Sequence, residues 1–146
     1  MIKLYTIGFT QKSAQTFFEL LEQNHVKRII DIRLNNRSQL AGFAKGKDLA
    51  FFAQRIANIA YVHRLDLAPT QELLRSYRNK EISWEDYTQI YLELLETRNI
   101  KDTLDFTTLD SACLLCSEPT AEQCHRRLLA EYLQSLNPDI QIVHLQ

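Results

Sequence analysis

Cys116, Glu118, Cys124, His125 and Arg126 lie close together in the stretch from Ala112 to Leu136. A cysteine beside a histidine gains thiolate character and can act as a nucleophile. A histidine oriented by a glutamate can act as a general base. An arginine fork suits a planar bidentate contact to carboxylate or phosphate. Cys116, Glu118, Cys124 and His125 are therefore the candidate catalytic residues. The competing structural reading makes Cys116 and Cys124 small buried fillers, with His125 satisfying the Glu118 loop.

Two named chemistries fit this stretch poorly. Cysteine-loop phosphatases and sulfurtransferases place an arginine about five residues after the nucleophile, within a loop of backbone amides. Here Arg126 comes ten residues after Cys116, and the intervening segment carries two glutamates and no glycine. Zinc would draw on Cys113, Cys116, Cys124 and His125. Residues three apart on a strand face opposite sides, however, and neighbours on a helix diverge by about 100°. The expectation is no metal and no cofactor.

The elements around these residues follow from pattern. Ala112 to Cys116 is an unbroken apolar run, the mark of a strand buried on both faces. Thr120-Ala-Glu-Gln123 has the form of a capping box, which predicts a helix from near Thr120 to Leu136. With Leu128, Leu129, Tyr132 and Leu136 as its buried face, His125 falls near the centre and Cys124 at one margin. Arg126 falls toward the other margin, and Arg127 outside. Open parallel sheets bind ligands beyond the carboxyl ends of their strands, where a helix N-terminus favours anions.

Earlier in the chain, Ile2–Ile7 reads as a strand, Ser13–Asn24 as a helix, and Val26–Arg33 as a second strand. Asp31 and Arg33 share a face at its carboxyl end. They form either a structural ion pair or an oriented anchor for phosphate. Leu34 to Gly46 reads as a long functional loop. A helix from Lys47 to Ala57 follows, with Leu49, Phe52, Ala53 and Ile56 on one face. Phe51 lies opposite; beside Phe43 it could stack on a base or pack against a second copy in a homo-oligomer, although a lone exposed aromatic commonly has no role. Ile59–His63 is a short strand delivering His63, Arg64 and Asp66. Pro69-Thr70 opens a helix to Tyr77, and Ser83 caps another to Thr97, whose Trp84, Tyr87, Tyr91, Leu94 and Leu95 form a packing stripe. A further helix from Ile100 to Leu109 and a final strand Ile140–Leu145, bearing His144, complete the order.

Strands alternating with helices predict an α/β fold around a mainly parallel sheet of about five strands, covered on both faces in Rossmann-like fashion. The strand ends deliver Thr6 and Thr10, Asp31 and Arg33, His63 and Arg64, Cys116 and Glu118, and His144 to one edge. The 146 residues read as a single domain, 1–146, with too few glycines and prolines for a flexible linker. No apolar run approaches a membrane span of roughly 20 residues. Three cysteines are an odd count, unsuited to a disulfide framework, and point to a reducing cytoplasm. From Val26 to Arg64 eight basic residues stand against two acidic ones, although the net charge is −1. That segment could attract phosphate.

Tyr5-Thr-Ile-Gly8, Asp31-Ile-Arg33, Tyr61-Val-His63, Leu115-Cys116-Ser-Glu118 and Cys124-His125-Arg126 together resemble the family catalogued as domain of unknown function 488. Asn35-Asn-Arg-Ser-Gln-Leu-Ala-Gly-Phe43 and Ile82-Ser-Trp-Glu85 resemble its branch with an elongated loop after the second strand. The resemblance implies a three-layer α/β fold and supplies no activity. The expectation is an anion-binding cleft for a nucleotide, another phosphorylated small molecule or a nucleic acid. Its ligand-binding residues would be Gly8, Asp31, Arg33, His63, Arg64 and Arg126. The alternative is a non-catalytic nucleic-acid-binding module using the basic segment 26–64.

Overall fold

A computed structural model of the protein describes residues 1–37, 42–118 and 121–146. Five strands, β1 (Ile2–Gly8), β2 (Arg28–Asp31), β3 (Ala60–His63), β4 (Ala112–Cys116) and β5 (Ile140–Leu145), form one sheet in the order β3-β2-β4-β1-β5. Every pairing is parallel, so all carboxyl ends lie on one edge. The α/β class expected from the alternation of strands and helices is the one observed.

The described residues form the helices α1 (Ala14–Gln23), α2 (Gly46–Ala57), α3 (Gln71–Arg78), α4 (Trp84–Thr97), α5 (Ile100–Thr103) and α6 (His125–Leu136). Three of them start at side-chain caps. Ser13, Thr70 and Ser83 each accept a backbone N–H from the first turn, and Asp86 closes a capping box with Ser83. Among the described residues no helix is long and apolar enough to cross a membrane.

Strand alternation splits the interior into two cores. Leu4, Ile30, Leu114 and Cys116 pack with α4 and α6, whereas Tyr5, Ile29, Cys113 and Leu115 pack with α1 and α2. The central strand β4 is buried throughout, as its apolar run predicts.

Several local expectations are corrected. The segment from Ile100 to Leu109 is the single turn α5 and a separate 3-10 turn at Phe106–Thr108, because Asp105 spends its side chain capping the second turn. Ile56 is 51% exposed instead of joining the buried face of α2, which Leu49 and Ala53 supply. Phe43 and Phe51 part company. Phe43 packs on Phe17 and Phe18, while Phe51 is exposed beneath the Arg55 guanidinium.

The largest correction concerns α6, which begins at His125 with Cys124 as its extended N-cap. Thr120, the expected cap, lies outside the described residues. The segment before His125 is engaged elsewhere. Gln123 accepts a hydrogen bond from the Tyr77 hydroxyl, and the carbonyls of Glu118 and Glu122 accept from Arg126 and Arg127. Those contacts stabilise a loop over the continuation of the helix.

Candidate functional site

Sheet register sets the frame of the site. Gly8 sits beside Cys116, and Asp31 lies between Leu115 and His63, so the carboxyl ends of four strands meet in one row. Two buried arginines occupy this edge.

Arg33 is 3% exposed and makes a bidentate pair with the fully buried Asp31, at 2.8 and 2.7 Å. The Tyr61 hydroxyl donates to the same carboxylate, and the Asn36 amide donates to Tyr61. Burial would raise the Asp31 pKa. The hydrogen bonds and charge of Arg33, with the Tyr61 bond, outweigh it and hold the carboxyl below its ordinary range. Burial and the Asp31 contact push the Tyr61 hydroxyl upward, so it remains a donor. The Arg33 guanidinium lies 5.3 Å from the centre of the Phe9 ring. Its Nη1 is buried without a hydrogen-bond partner among the described residues.

Arg126 is fully buried on the α6 side of the sheet. Its Nη1 donates to the Glu118 carbonyl at 2.6 Å and lies 3.3 Å from Cys116 Sγ and 3.8 Å from Cys124 Sγ. Its Nε donates to Thr6 Oγ1, and Thr6 is hydrogen-bonded to His144 Nδ1 at 2.6 Å. An arginine can only donate, so the Thr6 hydroxyl proton is left for His144. Among the described residues no carboxylate pairs with Arg126, and Nη2 has no partner. Burial lowers its pKa to about 10. Its charge reaches Lys12, His125 and His144, all of them lowered chiefly by burial and further by Arg126.

Gly8 makes this nest possible. A Cβ there would stand 1.5 Å from the Glu118 carbonyl oxygen and 2.7 Å from Arg126 Nη1. Its role is close backbone approach.

Cys116 and Cys124 are joined as a disulfide, and Cys113 is a buried free thiol in the opposite core. The odd cysteine count pointed away from bridges, but the extended cap at Cys124 swings its sulfur onto Cys116. His125 opens α6, and its Nε2 meets the Ile32 carbonyl at 2.9 Å. A carbonyl can only accept, so Nε2 carries the proton and Nδ1 keeps a lone pair. Burial lowers the His125 pKa to about 4, leaving the ring neutral near pH 7. Its orienting partner is therefore a backbone carbonyl, where sequence pattern suggested Glu118. His63 is fixed in the same way, by the Arg33 carbonyl at 2.7 Å.

A cleft of about 1290 Å³ opens over this edge. Cys116, Glu118, Cys124, His125, Arg33 and His63 line it. Gly8, Asp31 and Arg126 lie beneath the lining, and Arg64 turns away into a pair with Asp66 at 2.7 Å. The basic segment 26–64 does not make one patch. Arg28 starts β2 at the opposite edge and bonds the Thr108 carbonyl, while Arg33 and Arg64 are held by acids.

Leu34 to Arg37, the start of the loop read as functional, also line the cleft, but the wall opposite was not anticipated as part of a site. Arg75, Arg78 and Lys80 come from α3 and its exit, and Tyr77, Trp84 and Tyr87 form an aromatic wall. Trp84 and Tyr87 stack with centroids 5.2 Å apart, and Tyr77 leans on both. The spacing of Arg75 and Arg78 on one helix face was the available signal. Tyr61 could have been found two residues before His63, on the strand paired with Asp31.

The sequence profile described as Domain of unknown function DUF488 matches residues 13–133. No curated protein and no solved structure matches the chain.

Proposed function

The chain belongs to the DUF488 family, and from that premise we propose that the cleft binds a phosphate-bearing ligand of nucleotide type. The observation that carries this reading is the charge of the lining. Arg37, Arg75, Arg78 and Lys80 line the space against the carboxylate of Glu118, alone among the described lining residues, while the charge of Arg33 is matched by Asp31. The buried, unpartnered Nη1 of Arg33 adds a donor that a phosphate oxygen would satisfy. Trp84 and Tyr77, both half-buried, offer ring faces for a base. In this reading His125 and His63, each with Nε2 held by a backbone carbonyl, are the proton acceptors through Nδ1. The protein works in a reducing cytoplasm, and a nucleic-acid terminus is the larger form of the same ligand class.

Calorimetric titration with a nucleoside monophosphate, the matching nucleoside and inorganic phosphate tests the reading. The nucleotide should bind more tightly than either part, and the Arg75→Ala, Arg78→Ala double variant should lose affinity while keeping its melting temperature. Equal weak binding of all three, insensitive to those arginines, defeats it. Affinity for single-stranded oligonucleotides that falls steeply with salt would instead favour a long polyanion with many phosphate contacts.

A further inference from the structure

We propose that, with the Cys116–Cys124 bridge reduced, Cys116, Cys124 and His125 form a three-ligand site for a zinc-like divalent ion, open to the cleft. This goes beyond the nucleotide reading and stands without it. The two Sγ atoms and a ring nitrogen of His125 lie within 4.8 Å of one another. Two thiolates and one imidazole are a ligand set that zinc takes tetrahedrally, and three protein ligands leave a fourth position for water or substrate. All three residues line the cleft, so that position faces it.

Three further features suit an ion. The backbone holds Cα116 and Cα124 7.7 Å apart, beyond the roughly 4.4–6.8 Å of a relaxed disulfide. A shared ion with two metal–sulfur bonds of about 2.3 Å bridges the wider gap. The Nε2–H of His125 is donated to the Ile32 carbonyl, which aims a lone pair from Nδ1, the orientation that outer-shell partners give to metal-ligating histidines. The Arg126 guanidinium, 3.3 Å from Cys116 Sγ, stabilises thiolate at that sulfur. Cys113 takes no part, since it sits in the other core.

Loading requires the dithiol. A thiol reductant supplies two electrons and two protons to the bridge and is itself oxidised to its disulfide. The ion then displaces both thiol protons into solvent.

The test uses the full chain, reduced and kept anaerobic, titrated with cobalt(II). One ion should bind per chain, with thiolate-to-metal charge transfer and the visible bands of tetrahedral cobalt. Cys116→Ser and Cys124→Ser should each weaken binding by more than the roughly 10–100-fold that an outer-shell loss costs. His125→Ala should shift the visible bands, and Cys113→Ala should leave them unchanged. Native thiol titration gives a readout that does not depend on the variants folding: with Cys113 buried, the reduced protein should offer two thiols, the ion should protect both, and a chelator should release them. Binding that survives the Cys116→Ser, Cys124→Ser double variant overturns the proposal. So does the absence of charge transfer in folded, reduced protein, or a bridge that millimolar thiol fails to open.

Discussion

Two arginines lie buried at the same sheet edge, and they are held by different chemistry. Arg33, on the face packed by α1 and α2, has a carboxylate, and Tyr61 and Asn36 complete the network around it. Arg126, on the α6 face, has a hydroxyl, a carbonyl and two sulfurs, none of them a carboxylate. The first arrangement is a closed ion pair with one guanidinium nitrogen left over. The second leaves a whole positive charge for whatever else enters the corner, thiolate or ligand. A buried charge is costly unless it is paired, so the unpaired arginine points to chemistry more directly than the paired one.

Removing Arg33 should do the most damage. Arg33→Ala strands the Asp31 carboxylate inside the protein, and breaking a buried pair in this way costs about 3–5 kcal/mol. Urea unfolding at pH 7 reads the loss directly. A loss below about 1 kcal/mol, the range of exposed pairs, would mean that water reaches Asp31 and that the two arginines do not differ as described.

Arg126→Met should cost less, about 1–3 kcal/mol, because it deserts the Glu118 carbonyl and the Thr6 hydroxyl but strands no charge. The same unfolding measurement ranks the two variants. If Arg126→Met proves the more destabilising, a permanent anion neutralises Arg126 in the native protein, and the contrast collapses.

The fold was legible because its signals are local and repeated. Alternation placed the strands, and Ser13, Thr70 and Ser83 opened their helices where cap chemistry says they should. Separating Cys113 from Cys116 needed only the two-residue period of a strand. The site was legible only in part. Its residues were found by type, but their convergence depended on where α6 begins, and that is set by Tyr77, Arg126 and Arg127 seizing the loop before it. A capping-box pattern carries no knowledge of a tyrosine 46 residues away. The helical wheel then misplaced Cys124, which caps α6 in extended conformation and so lies with Cys116 and His125, their ligand atoms within 4.8 Å of one another.

Acid should separate the two arginines again, more gently. The Asp31 carboxyl is depressed in the folded protein, so its contribution is complete above the unfolded value of about 3.9 and fades as pH falls through the folded one. Unfolding free energy measured from pH 7 downward should therefore hold level and then decline below about pH 4. Replacing the pair together, as Asp31→Asn with Arg33→Met, should flatten that decline. Arg126→Met should leave its slope intact, since no carboxylate forms an ion pair with Arg126 among the described residues and the Glu118 charge acts on it only through space. An equal flattening in Arg126→Met would place a titrating acid beside it.

The smallest effect belongs to Arg64, which sequence pattern grouped with the other two. Its pair with Asp66 has ideal bidentate geometry, at 2.8 and 2.7 Å, but the partners are 28% and 40% exposed. Exposed pairs of this kind contribute about 0.2–1 kcal/mol, weakened further by salt. Arg64→Ala should fall in that range, and the loss should shrink in 1 M salt while the Arg33→Ala loss persists, since burial shields that pair from counterions. The Asp66 carboxyl is held low first by its hydrogen bond from Arg64, so the variant should also trim the acid decline slightly, over the same window as Asp31. Arg64 turns away from the cleft, so nucleotide binding should be unchanged. Were Arg64→Ala to weaken binding as much as the Arg75→Ala, Arg78→Ala variant, the cleft would have to extend past His63 to Asp66. The anionic ligand would then lie along the β3 edge, away from α3.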